Sequence, residues 1–206
     1  LRTIRADGEH ETEVKKSRFL CALRRVGTEE QARAFVAERK KQYWNASHNC
    51  SAFVLGRWSD VERSNDDGEP SGTAGVPMLE VLRRRELTDV VAVVTRWFGG
   101  TRLGAGGLVR AYGGAVAEAV DAVGVVELRD VGVFAVESGH AGAGRLENEL
   151  RGSRFELLGV GYGAGVRFEV GVPDGEEPAF AAWLAETTGG GAEAERVGTR
   201  VVEVPL

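Results

Sequence analysis

Between Asp89 and Thr95 the chain places one apolar residue after another, Val-Val-Ala-Val-Val, with no polar position to turn toward solvent. An uninterrupted run of this length predicts a strand covered on both faces. The pattern then breaks into glycine and arginine from Arg96 to Leu103 and resumes at a helical period from Gly104 to about Val123. In that helix Leu108, Ala111, Tyr112, Ala115, Ala119, Val120 and Val123 fall on one face. Gly113 and Gly114 lie inside it, each costing about 1 kcal/mol relative to alanine, so close packing against a neighbour is expected there.

Upstream, residues 1–12 are polar and read as a frayed end. Phe19, Cys21 and Leu23 alternate within Thr12 to Arg24, as in a half-buried strand. Thr28-x-x-Gln31 is a capping box opening a helix whose apolar face carries Ala32, Phe35, Val36 and Tyr43. Arg39, Lys40 and Lys41 fall in its last turns, where cations suit the helix dipole. Strands are predicted for Asn49 to Gly56 and Trp58 to Ser64, then a turn-rich stretch to Pro77 and a short helix to Arg84.

After Gly124 the chain changes character, and Gly124 to Asp130 reads as a link between domains. Strands follow at Val131–Glu137, Arg154–Val160, Val166–Val172 and Glu195–Val204. Between them lie a helix from Ser138, as cap, to Gly152, and a helix opened by Asp174-x-x-Glu177 and ended at Gly189. The order β-α-β-β-α-β is that of the ferredoxin-like split unit.

Charge changes the picture in one respect. The net charge of −5 excludes a generally basic coat for nucleic acid, but residues 1–128 carry 19 Lys+Arg against 18 Asp+Glu, and residues 129–206 carry 7 against 13. Any RNA contact is therefore expected at a local patch in the first part. No apolar run approaches the length of a membrane helix, and the start of the chain has no hydrophobic signal core, so a cytoplasmic location without membrane contact is expected. The two cysteines, Cys21 and Cys50, read as buried free thiols.

Strand, glycine turn and helix start form an arrangement able to hold an anion: free N–H groups and the helix dipole supply partial positive charge. Gly99, Gly100, Gly104, Gly106 and Gly107 permit a close backbone approach, and Arg96, Arg102 and Arg110 supply bidentate donors. The alternative is that the glycines only permit tight packing and the arginines are solvated. The P-loop and dinucleotide spacings are both absent. In the turn Asn65 to Pro77, the acids Asp66, Asp67 and Glu69 do not have calcium-loop spacing, and no metal or other cofactor is expected. Those carboxylates are better placed to pair with Arg96 or Arg102. His48 has no ligand-spaced partner.

Three stretches carry a family resemblance: Arg96-Trp-Phe-Gly-Gly-Thr-Arg-Leu-Gly-Ala-Gly-Gly-Leu-Val-Arg-Ala-Tyr112, Asp66-Asp-Gly-Glu-Pro-Ser-Gly-Thr-Ala-Gly-Val-Pro-Met-Leu79, and Ala46-Ser-His-Asn-Cys50. Together they resemble the YigZ/Impact family. The resemblance implies an α+β protein of two domains. Residues 1–127 would form the Impact N-terminal domain, an α/β sandwich like ribosomal protein S5 domain 2. Residues 128–206 would form a ferredoxin-like domain similar to the last domain of elongation factor G. It also raises His48, Asp66, Glu69 and Ser71 to supporting positions around the glycine and arginine turn.

Eukaryotic relatives regulate translation initiation but carry a different partner-binding domain, absent here, so their mechanism is not expected to carry over whole; the resemblance still implies a binding protein linked to regulation of translation, with RNA or a ribosome-associated protein as partner. Two alternatives stand beside it: an enzyme or binder for a phosphorylated small molecule or nucleotide using the Gly/Arg turn, and a pure protein-interaction module. No nucleophile–base pair is legible, so no catalytic residue is assigned.

Overall fold

The computed structural model describes all residues, Leu1–Leu206, and the chain divides into two compact units, Leu1–Glu127 with Val204–Leu206, and Leu128–Glu203. In chain order the elements are β1 (Arg2–Ile4), β2 (Gly8–Val14), β3 (Ser17–Arg25), α1 (Glu29–Gln42), β4 (His48–Leu55), β5 (Val61–Asn65), α2 (Gly75–Arg84), β6 (Val90–Trp97), α3 (Ala105–Val123), β7 (Val125–Ser138), α4 (His140–Gly152), β8 (Glu156–Tyr162), β9 (Val166–Pro173), α5 (Glu177–Thr188) and β10 (Ala194–Pro205).

The first unit is built on an antiparallel sheet of order β2-β3-β6-β4-β5. Strand β6 is central, and its apolar run serves both faces. Val90, Ala92 and Val94 join the core under α2 and α3, while Val91 and Val93 face Ala32 and Phe35 of α1. The same division sends Phe19, Cys21 and Leu23 to the first face and Ala22 to the second. This is why the run carries no polar residue: each face of β6 is roofed by helix.

Local signals start and stop the helices. Thr28 Oγ1 accepts from Gln31 N at 3.2 Å, while the Gln31 side chain accepts from Gly27 N at 2.8 Å, one residue before the cap. Helix α5 ends at Gly189 in the left-handed conformation. In α3, Gly113 faces Pro77 and Val81 of α2 at ordinary contact distances, whereas Gly114 has no neighbour within 4 Å, so the packing expected to offset both glycines exists at one of them.

Two expectations are corrected and one takes an unexpected form. Residues 2–14 are not frayed: β1 pairs with β7, and β2 pairs along its whole length with β3 from Gly8↔Leu23 to Val14↔Ser17. Gly124 to Asp130 contains the division between the two units, at Glu127/Leu128, and it is built as strand: β7 runs unbroken from Val125 to Ser138. Val126 and Val131 are buried and the backbone is paired. Ser138 does not cap α4; Gly139 holds that position without a side-chain bond, and Ser153 follows the helix end.

In the second unit the strands pair in the order β10-β7-β9-β8, the antiparallel arrangement of the ferredoxin-like unit. Its core joins Val136, Phe168, Val170 and Val172 of the sheet to Leu146 and Leu150 of α4 and Phe180 and Leu184 of α5.

Candidate functional site

The three motifs meet at one end of the first sheet. The register places His48 of β4 opposite Arg96 of β6, and Arg18 of β3 opposite Trp97. The acidic turn 66–72 folds against this end, and α3 passes behind it.

At the centre lies a buried ion pair. Arg96 Nη1 meets Glu69 Oε1 at 2.6 Å, with side chains 6% and 4% exposed. Tyr112, from α3, donates its hydroxyl to the same oxygen at 2.7 Å. Glu69 Oε2 faces His48 Nε2 at 3.7 Å. His48 Nδ1 lies 2.9 Å from the Asp67 carbonyl, which can only accept, so Nδ1 carries the proton toward it. Arg96 Nη2 reaches Ser17 Oγ at 3.3 Å, and that hydroxyl also accepts from Gly99 N at 3.1 Å. The guanidinium sits between the Phe19 and Phe98 rings at 5.5 and 5.7 Å. One carboxylate thus joins the acidic turn to β6, β4 and α3.

The other two acids brace the turn. Asp66 accepts from the backbone of Gly72 at 2.8 Å, Ala74 at 3.0 Å and Gly75 at 2.8 Å, tying down the start of α2. Burial works to raise its pKa, but those three donors outweigh it and hold the carboxyl below the usual range. Asp67 accepts from Asn49 N at 2.7 Å and from Lys40 Nζ at 2.5 Å. Asn49 in turn takes a bond from Thr95 Oγ1 at 2.8 Å.

Burial pushes the Cys50 thiol up to about 12, and it donates to the Asp66 carbonyl at 3.0 Å. Burial, then the neighbouring Cys50 and Glu69, raises the Tyr112 hydroxyl as well, keeping it a neutral donor. Both cysteines are free and buried. No group of three or more His, Cys, Asp or Glu is placed to hold a metal ion.

Arg96 is therefore committed to the interior, and of the arginines named for anion contact only Arg102 and Arg110 are exposed. Gly104 precedes α3 with φ +73°, no side chain caps the helix, and its first turn holds no acid. Gly99 packs on the β2–β3 turn: a Cβ there would stand 2.0 Å from the Lys16 carbonyl carbon. Gly100 and Gly104 face open space, Gly106 lies beside the Arg110 side chain, and Gly107 packs on Leu103. Ser71 is exposed in the turn.

Sequence reasoning did not assign Tyr112, Ser17, Asn49 and Lys40 to this network. Tyr112 had a signal: a hydroxyl on an apolar helical face needs a buried partner, and the acidic motif was the available one. Ser17 and Asn49 are brought in by strand register and Lys40 by the packing of α1, neither of which spacing along the chain shows.

This geometry defines a two-domain α+β protein whose shared motifs form a structural clasp beneath an exposed, cationic helix start. The Impact N-terminal domain model matches residues 15–120, and a domain of unknown function (DUF1949) matches residues 136–190. The chain is 51% identical over 188 residues to the IMPACT family member YvyE of Bacillus subtilis (strain 168), covering 91% of this chain and 87% of that one. It is 34% identical over 180 residues to the IMPACT family member YigZ of Escherichia coli (strain K12), covering 86% and 88%. A crystal structure of a hypothetical protein superposes with a TM-score of 0.60 at 32% identity, covering 95% of this chain and 96% of that one. The chain belongs to the IMPACT family. No helix is long and apolar enough to cross a membrane.

Proposed function

We propose that the protein is a binding protein linked to regulation of translation, and that it holds RNA phosphate through Arg102, Arg110 and the start of α3. One observation carries the reading: Arg102 and Arg110 are exposed and neither forms an ion pair. Elsewhere in the same unit Arg18, Arg24, Arg33, Arg83 and Arg85 each hold a carboxylate. Two unneutralised guanidiniums beside free N–H groups and a helix dipole suit an anionic partner. The link to translation rests on the family resemblance; the choice of RNA rests on this charge, which is local in a chain of net charge −5.

Filter retention of bulk cellular RNA at two salt concentrations tests the reading. The wild type should bind at low salt and lose affinity steeply as salt rises, because phosphate contacts release counterions. The R102A/R110A variant should bind weakly with a shallower salt dependence. Arg96 is left intact, since its removal disturbs the core. Unchanged binding by the double variant would refute the assignment of phosphate contact to these arginines.

A further inference from the structure

We propose that the same end of the first unit is a platform for single-stranded RNA, with bases stacking on Trp44 and Phe98 and phosphates held by the surrounding cations. The inference rests on the RNA reading above and adds the substrate class. Trp44 is 82% exposed and Phe98 52% exposed, and neither joins an apolar core cluster, the Phe98 ring meeting the Arg96 guanidinium on one side only. The two aromatics stand on adjoining loops that are tied together. Ser47 N donates to the Arg96 carbonyl at 2.8 Å, and Phe98 N donates to Ser47 Oγ at 3.0 Å. Tyr43 packs edge-on against Trp97 with centroids 5.3 Å apart. The rings are thus presented on braced backbone.

Cations frame them. The β2–β3 hairpin turns at Lys15 and Lys16, which have φ of 48° and 65°, a conformation that glycine or asparagine adopts more readily. A turn that places two lysines in left-handed geometry accepts backbone strain to keep charge there. Neither lysine forms an ion pair, and neither do Lys41, Arg102 and Arg110. Asp67 and Glu11 at this end are engaged by Lys40 and Arg18. Glu13 stands across from Arg18 in register and is exposed. Aromatic faces among unpaired cations fit a strand whose bases are splayed and whose backbone is anionic. A duplex hides its base faces and gives the rings nothing to stack on. The other exposed tryptophan of this unit, Trp58, is 81% exposed beyond the far end of β4 and serves as an internal control.

Fluorescence anisotropy with a labelled oligouridylate and with an RNA duplex of equal length tests the platform. The wild type should prefer the single strand. Trp44→Ala and Phe98→Ala should each weaken that binding about ten-fold, within the range base-on-aromatic stacking supplies, with the salt dependence unchanged. Trp44→Phe should restore most of it, and Trp58→Ala should bind as wild type. All these side chains are exposed, so unchanged circular dichroism is expected and checked. Wild-type affinity in both aromatic variants, beside a loss in R102A/R110A, overturns the stacking while leaving the phosphate reading intact. Preference for the duplex overturns it too. No binding of either RNA by the wild type overturns both readings and leaves the face to a protein partner.

Discussion

Replacing Glu69 by glutamine keeps its shape and removes one charge from the clasp. The Arg96 guanidinium would then be buried without a counter-ion, in a side chain only 6% exposed. Removing one partner of a buried pair costs about 3–5 kcal/mol, because the remaining charge keeps its desolvation penalty. The glutamine oxygen can still accept from Tyr112 or Arg96, which places the expected loss near the lower end, about 3 kcal/mol. For a unit of this size that corresponds to a fall in Tm of roughly 11 °C.

Urea denaturation followed by tryptophan fluorescence and by circular dichroism measures the loss, with Trp97 reporting beside the site and Trp183 in the second unit. The double variant E69Q/R96M completes a cycle. Once both charges are gone the penalty of the orphan disappears, so the double variant should be at least ~1 kcal/mol more stable than the sum of the singles predicts. A loss below about 1 kcal/mol in E69Q, or strict additivity in the cycle, would refute the account of Glu69 as counter-ion to a desolvated arginine.

Two further outcomes are expected from the neighbouring turn. Asp66→Asn should cost about 2 kcal/mol at neutral pH, since a charged acceptor of three N–H donors becomes a neutral one. The folded carboxyl sits below its ordinary value, so its contribution is present above the unfolded pKa of about 3.9 and is lost as pH falls through the folded value. The gap between wild type and variant in urea titrations should therefore narrow in acid; a gap constant with pH would contradict the assignment. Gly99→Ala should lower Tm more than Gly100→Ala. At Gly99 the added Cβ meets Lys16 backbone at 2.0 Å, whereas at Gly100, φ +87°, it meets open space and costs about 1–2 kcal/mol for the left-handed geometry. Equal shifts in thermal melts would show that the hairpin yields to the new methyl.

The site divides along the same physical line as the fold. Arg96 and Arg102 stand six residues apart and looked alike in sequence, yet one is enclosed and the other is exposed. Nothing in local spacing separates them, because the difference is made by the acidic turn arriving from another part of the chain. The pairing of the Asp66–Glu69 motif with an arginine was legible as complementary charge. Which arginine, and through which oxygen, was not.

Along the chain itself, sequence determined what short-range physics controls. The capping box at Thr28 marks a helix start because its bonds close within a few residues. The apolar run of β6 marks a strand roofed on both faces because it leaves no polar residue for water. Tertiary structure decided the rest. Residues 8–14 are polar and have no strand signal of their own, but pairing with β3 satisfies their backbone. Gly124 to Asp130 was legible as the link between units, but that the link is one unbroken strand, β7, was decided by its backbone pairing. His48, Glu69, Arg96 and Tyr112 come together through strand register and helix packing, and a buried charge finds its partner only when distant segments close over it.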